Sequence, residues 1–493
     1  MAELMKHTSI TTRRDPGRRL GARGLAGVGG GSPAYVPVPL EWRGTTRQVC
    51  GLYPWATPGQ LPMLGGPIGR HQKSGAIICF DHVNWFLGKR ISNPSVLIIA
   101  RTGLGKSTLS SKIMLSLAAQ GYVLLVPGDT KPDYAELVTV LGGQVRVVSR
   151  AGGMALNPAD PGGMSAAAAR IGGIAGDALL SEAIGRATVA CSSLIELARK
   201  GQPVQDYEEA ALNAALRLLY KGDRHAPVLR DVFTVLEQRA EAVRAVVLDR
   251  GVDATYERLI GPTQRSIQAL LNGQYGDVFA RPVDRPIEQP LAISIDTSRI
   301  KSGDERFLAA VMMAAWSETY GQVEAEQALA DAGLSPRRLY CLTLDELWRV
   351  LQLGGTMPER VNELTRLNRT QGVGQIMITH SIRDLARGER SSIEGIEERA
   401  GAIIVGGVPK REIDALSAVM TLTEAEQCEL RTWWSMYDAA SRGDHASDRP
   451  PGAGLFLIKP SSEDPGIPVD VVLTSVEREW GGQNTNRAWT QAS

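Results

Sequence analysis

Cysteine is scarce in this sequence, with five among 493 residues, at positions 50, 79, 191, 341 and 428. No two of them stand in C-x-x-C spacing, which argues against a zinc site or a disulfide framework and fits a reducing compartment such as the cytoplasm. An excess of one charge is also missing. Lys and Arg number 54 against 53 Asp and Glu, a net charge of +1, so no global electrostatic footprint of nucleic-acid binding exists and any such site has to be a local patch or a pore lining. No run approaches the roughly 18 apolar residues of a membrane span, and the first residues hold no hydrophobic core of a signal peptide. A role at the inner face of a membrane is therefore expected to be peripheral or exercised through partners. The hydrophobic content of 43% and charged content of 22% are ordinary for a globular protein, and the length predicts two or three units with ample core.

The most informative stretch is Ala100-Arg101-Thr102-Gly103-Leu104-Gly105-Lys106-Ser107-Thr108, between the apolar run Val96 to Ile99 and the helical pattern Leu109 to Gln120. Buried strand, glycine-containing loop and helix form the context in which a phosphate-binding P-loop match is credible. Arg101 to Thr108 are the expected nucleotide-binding residues. Gly103 and Gly105 let the backbone curl so that successive N–H groups point inward, and the helix start near Lys106 adds its positive end. Lys106 is expected to reach the β- and γ-phosphates of ATP, with the Ser107 hydroxyl on Mg²⁺. Ala100 stands where such loops usually begin with glycine, and a small residue at the strand end is expected to serve.

Along the chain, residues 1–35 read as a flexible basic arm that is either a solvated tail or a contact to DNA, anionic lipid or a partner. Residues 36–64 form a lead-in rich in Pro and Gly. Residues 65–158 carry strands at Ala76–Phe80, Val96–Ile99, Tyr122–Val126 and Val145–Val148, and strand, crossover helix and strand over some thirty residues predict a parallel α/β unit. From 159 to 285 the periodicity turns helical, predicting an inserted all-α subdomain that includes the packed run Ala166–Ala178 and the stretch Val228–Leu248. Residues 286–480 return to strands at Leu291–Ile295, Leu339–Leu344, Gln375–Thr379 and Ala402–Val405. Helices are expected at Asp304–Ala330, Glu359–Thr370, Glu412–Val419 and Glu424–Ala440, and an antiparallel pair at Gly454–Ile458 and Val469–Leu473. Residues 481–493 are a polar tail.

In open parallel sheets ligands bind beyond the carboxyl ends of the strands. Four such ends carry polar groups that belong together: Lys106 and Ser107, Asp129 and Lys131, Asp345 and Glu346, Thr379 and His380. Asp345 follows an apolar run, as does a carboxylate that orients Mg²⁺ through water, and Glu346 beside it has the reach of a general base. Asp296 and Asp129 also end apolar runs; the second carboxylate selects Asp345-Glu346. His380 ends a strand that, in ATPases with an added catalytic-glutamate strand, lies between the P-loop and Walker B strands, and from there it is expected to hydrogen-bond the γ-phosphate or the attacking water. A cation arriving late in phosphoryl transfer, often from a neighbouring subunit, is expected from Arg366 or Arg369, with Arg399 next.

The ordered set Gly65 to Arg70, Phe80-Asp81, Ala100 to Thr108, Gly128 to Tyr134, Leu141 to Gly143, Leu156-Asn157-Pro158, Leu344 to Trp348 and Ile378 to Asp384 resembles the TraC-type ATPases of conjugative type IV secretion systems, within the FtsK–HerA superfamily. The resemblance covers roughly Gly65 to Arg478. It implies a RecA-like P-loop NTPase with a mainly parallel sheet and a helical insertion, a homo-oligomer, usually a hexamer, that hydrolyses ATP with Mg²⁺. Such a motor works with the membrane components of the secretion apparatus at the inner face of the membrane. Members usually carry a large domain before the motor; here about 65 residues precede it, so docking is expected to rest on another polypeptide. Glutamine commonly follows the sensor threonine where this chain has His380. A double-stranded DNA translocase, with DNA as its track, is the alternative within the same superfamily, and a nucleotide-gated scaffold is the alternative outside it.

Overall fold

The computed structural model describes residues 20–21, 24–25 and 63–480, apart from 150–152, 161, 223–226, 273–275, 283–290, 302, 347–348, 350–371, 383–399 and 441–451. The chain divides into Met1–Gln60 and Leu61–Ser493. In the first unit β1 (Leu20–Gly21) pairs antiparallel with β2 (Gly24–Leu25).

The second unit is built on one sheet of eleven strands. In chain order these are β3 (Pro67–His71), β4 (Ile77–Cys79), β5 (Ser95–Ile99), β6 (Val123–Asp129), β7 (Gln144–Val147), β8 (Ala292–Asp296), β9 (Tyr340–Leu344), β10 (Val373–Thr379), β11 (Ala402–Gly406), β12 (Leu455–Lys459) and β13 (Ile467–Val471). Across the sheet the order is β4-β3-β13-β12-β11-β5-β10-β9-β6-β8-β7. Every pairing from β11 to β7 is parallel, and every pairing from β11 out to β4 is antiparallel. The expected antiparallel C-terminal pair is therefore β12 and β13, and it joins the parallel core to β3.

Strands covered on both faces must be apolar throughout, and β5 is buried at all five positions. The strand period of two then sorts its residues. Val96, Ile98 and Ala100 enter one core with Leu109, Ile113, Met114 and Leu117 of α2 (Lys106–Ala119). Leu97 and Ile99 enter the other, with Phe307, Val311 and Ala315 of α11 (Glu305–Asp331). That second face also receives the helices α5 (Gly173–Ala198), α6 (Asp206–Gly222), α7 (Leu229–Glu237), α8 (Glu241–Val247), α9 (Asp253–Asn272) and α10 (Gly276–Phe279) between β7 and β8, whereas α4 (Met164–Ile171) packs on α5 and α11 in a separate cluster. Leu212, Ile260 and Leu270 of this insertion share one continuous buried cluster with Leu125 and Ile295 of the sheet.

The helical insertion departs locally from its sequence pattern. Ala166–Ala178 is not one helix, because Gly172 and Gly173 take left-handed φ values of 65° and 59° and separate α4 from α5. The stretch 228–248 breaks at Arg239, with φ 55°, into α7 and α8. By length and composition α5 is apolar enough to cross a membrane, but 61% of its most apolar window is buried inside the protein. Within the eleven-stranded sheet one strand gave no sequence signal: β3 lies in the glycine-containing run Gly65–Arg70, where a Cβ at Gly69 would come within 2.1 Å of the Asp470 carbonyl oxygen on β13. The expected helix Glu359–Thr370 and the polar tail 481–493 lie outside the described residues.

Candidate active site

The P-loop joins β5 to α2. Gly103 and Gly105 have φ values of 85° and 92°, a region closed to most side chains, and no side chain caps the first turn of α2. The amides of that turn therefore remain available as an anion cradle at the positive end of a 14-residue helix. The buried Leu104 accepts a 2.9 Å backbone hydrogen bond from Gly454, just before β12, which ties the loop to the antiparallel half of the sheet. Ala100 has a definite counterpart. A Cβ on Gly406, at the end of the adjacent β11, would fall 2.7 Å from the Ala100 Cβ. The methyl at 100 thus occupies space left free by the absent side chain at 406.

The sheet order places β10 between β5 and β9, so the ends carrying Lys106, His380 and Asp345-Glu346 follow one another. Lys106 donates to His380 Nδ1 at 2.9 Å, and His380 Nε2 donates to Glu346 Oε1 at 2.8 Å. Since an ammonium has only donors, Nδ1 is the acceptor and the ring is held as the tautomer protonated at Nε2. Thr102 Oγ1 lies 3.3 Å from the same Nδ1. Glu346 is 2% exposed and adopts φ 53°, a strained conformation for a side-chain-bearing residue of the kind that accumulates at functional sites. Its N–H donates to Asp345 Oδ1 at 2.8 Å, orienting the pair.

A further loop closes the group from β6. Gly128, with φ 129°, forms a bulge against β8 and turns Asp129 inward. The Asp129 carboxylate accepts the backbone N–H of Tyr134 at 2.9 Å and of Asp133 at 3.0 Å, fixing residues 130–134. This loop presents Lys131 to Glu346 Oε1 at 2.9 Å and brings Asp133 Oδ2 to the Ser107 hydroxyl, which donates at 2.7 Å. Tyr134 OH reaches Ser110 at 2.8 Å and donates to Asp345 Oδ2 over 3.4 Å. Asp296, the other acid ending a strand, accepts from the N–H of Ser298 at 2.8 Å, within its own loop.

The carboxylates diverge electrostatically. Burial pushes Asp129 up to about 7, against the hydrogen bonds from the Tyr134 and Asp133 amides. Burial, with the charges of Glu346 and Asp133, pushes Asp345 up to about 6. Glu346 is buried too, but the His380 and Lys131 donors outweigh burial and hold it well below the usual carboxylate range. Burial lowers the Lys106 ammonium to about 8, against the pull of Asp345 and Glu346. Two acids side by side are thus driven apart, Asp345 toward its neutral form and Glu346 toward its ionised one.

Of the sequence-assigned residues, Thr102, Lys106, Ser107, Asp345, Glu346 and His380 come together, and Gly103 to Thr108 form the loop and helix start beneath them. Arg101 lies with its guanidinium 5.9 Å from the Trp434 ring centre. Arg366, Arg369 and Arg399 lie outside the described residues. Asp133 and Tyr134 join the site without having been assigned a role; the signal was the run Asp129-Thr-Lys-Pro-Asp-Tyr134 at a strand end. Ser107, Asp345 and Asp133 offer hard oxygens of the kind Mg²⁺ takes alongside water and phosphate, so the donor chemistry fits a magnesium nucleotide.

A mainly parallel sheet with a P-loop after one strand and an Asp-Glu pair two strands away is the RecA-like P-loop NTPase fold. Within that class the fold is similar to VirB4 of Thermoanaerobacter pseudethanolicus, with a TM-score of 0.61 and 17% identity over 85% of this chain and 100% of that one. It is also similar to the plasmid coupling protein TrwB in complex with the non-hydrolysable ATP analogue ADPNP, with a TM-score of 0.51 and 12% identity over 84% of this chain and 97% of that one. TrwB in complex with ADP and Mg²⁺ gives a TM-score of 0.50 at 12% identity, over 84% and 91%. No family model and no curated protein matches the sequence.

Proposed function

We propose that this chain is an ATP-hydrolysing motor of a conjugative or type IV secretion apparatus, working as a hexamer. The observation that carries the hydrolytic part is the unbroken line Lys106–His380–Glu346, which joins the P-loop to an ionised, buried carboxylate over two hydrogen bonds of 2.9 and 2.8 Å. Lys106 and the amides of Gly103 to Thr108 bind and orient the phosphates. Ser107 and Asp345 would hold Mg²⁺, which neutralises phosphate charge when bound. Glu346 accepts a proton from the attacking water, and His380, fixed between Lys106 and Glu346, orients that base. Arg366 or Arg369 supplies the late cation from a neighbouring subunit.

The place in a secretion machine rests on the fold likeness to VirB4 and TrwB together with the Gly128–Tyr134 and Asn157-Pro158 elements of the sequence. Membrane components of the apparatus are then the partners, and a peripheral position at the inner face of the membrane is the location. Lys106→Ala is expected to abolish ATP binding, whereas Glu346→Gln is expected to bind ATP normally and lose turnover by about 100-fold or more, the scale of a positioned general base. Equilibrium nucleotide binding and phosphate release on the two variants check this. Wild-type turnover by Glu346→Gln would remove the general base from the mechanism.

A further inference from the structure

Beyond Lys106, the cations considered from sequence for the nucleotide's terminal phosphate were arginines distant along the chain, yet a second lysine stands in the site. Lys131 Nζ lies 2.9 Å from Glu346 Oε1, the oxygen that also receives His380 Nε2 at 2.8 Å. It is therefore connected through Glu346 and His380 to Lys106, the residue that marks where the phosphates end. Its root is fixed and its stem is exposed. The loop bearing it is closed on the Asp129 carboxylate by the Asp133 and Tyr134 amides, while the Lys131 side chain is 45% exposed against 3% for Glu346. An anchored backbone with a flexible, solvent-accessible stem suits a mobile point charge directed at phosphate.

Exchange of partners is chemically balanced. Glu346 Oε1 accepts two donors, so departure of Lys131 leaves the His380 hydrogen bond on the carboxylate. A terminal phosphate offers three oxygens sharing about two negative charges, a stronger acceptor for an ammonium than a carboxylate oxygen already shared with an imidazole. Two arginines near the loop are engaged elsewhere: Arg101 lies against Trp434, and Arg349 pairs with Glu305 at 3.3 Å.

We propose that Lys131 is a specificity-determining residue of the nucleotide site: its ammonium leaves Glu346 for the terminal phosphate of a bound nucleoside triphosphate and so distinguishes triphosphate from diphosphate. This rests on the nucleotide-hydrolase reading above. It makes the strand end of β6, in the same chain, the reader of the terminal phosphate, and it couples that reading to release of one donor from the base.

The test is calorimetric titration of the full chain, as wild type, Lys131→Met and Lys131→Arg, with ADP and with ADPNP, each in the presence of Mg²⁺. The Met variant is expected to bind ADP within about twofold of wild type and ADPNP about ten- to a hundredfold more weakly, the range of a hydrogen bond to a charged group. Retained ADP binding shows that the variant is folded, and Lys131→Arg is expected to recover most of the loss. Equal weakening for both nucleotides, or no weakening for either, overturns the proposal while leaving the hydrolase reading intact. Wild type that binds neither nucleotide overturns both.

Discussion

At residue 100 the sequence carries alanine where a P-loop usually has glycine, and the neighbouring strand explains why it fits. Gly406 supplies the missing volume: a methyl there would meet the Ala100 Cβ at 2.7 Å and the Phe456 ring at 3.2 Å. Gly406→Ala is therefore expected to destabilise the protein by about 1–3 kcal/mol through overpacking. Adding Ala100→Gly should restore about 0.5–3 kcal/mol of that, a coupling measurable by a denaturation double-mutant cycle. Additive losses would place the strain elsewhere. Single residues of this site were legible where the chemistry is written in a short string, as in Gly105-Lys106-Ser107 and Asp345-Glu346. Pairings such as Ala100 with Gly406, Ser107 with Asp133 or Lys131 with Glu346 were not, because each is created only when distant strand ends are brought side by side.

Among elements, the strands of the parallel core were the most readable, since burial on both faces forces unbroken apolar runs such as Val96 to Ile99. The breaks were the least readable. Gly172-Gly173 and Arg239 interrupt helical patterns that periodicity alone continues, and β3 lacks a pattern because Gly69 serves the close approach of β13 rather than a core. One short element has a measurable role. In α14 (Ser475–Trp480), Glu477 closes a reciprocal cap with Thr474 and takes Lys112 of α2 at 2.8 Å, both partners of the ion pair being buried. Burial would raise the Glu477 carboxyl, but Lys112 and Thr474 outweigh it and hold it below the usual range. A depressed acid stabilises the fold above its unfolded pKa and loses that contribution as pH falls. Glu477→Gln is accordingly expected to cost about 3–5 kcal/mol at pH 7–8, with the gap to wild type closing as pH falls below about 4.5. Urea denaturation of both proteins across that range checks it, and a gap that widens toward acid would contradict it.

For the whole molecule, the alternation of strand and helix made the α/β class and the helical insertion legible, but not the sheet's assembly. Periodicity cannot say that β3 and β4, from the start of the described core, lie beyond β13, or that the insertion shares its buried cluster with the sheet. These are long-range closures, settled by which apolar faces remain uncovered. A chain stopped after residue 450 loses β12 and β13, leaving β11 and β3 with unpaired edges and Leu104 without Gly454. It is expected to aggregate and to bind no nucleotide, as judged by size-exclusion chromatography and nucleotide titration. A monodisperse truncated chain with wild-type affinity would show that the antiparallel half is dispensable.

That hydrogen bond from Gly454 also sets a clock for synthesis. Gly454 lies 350 positions after Leu104, and at about 5–20 residues per second a ribosome takes roughly 20–70 s to cover that distance. Throughout that interval the phosphate loop exists without the contact that ties it to the sheet. The loop therefore gains this contact only once nearly all of the described core has been made.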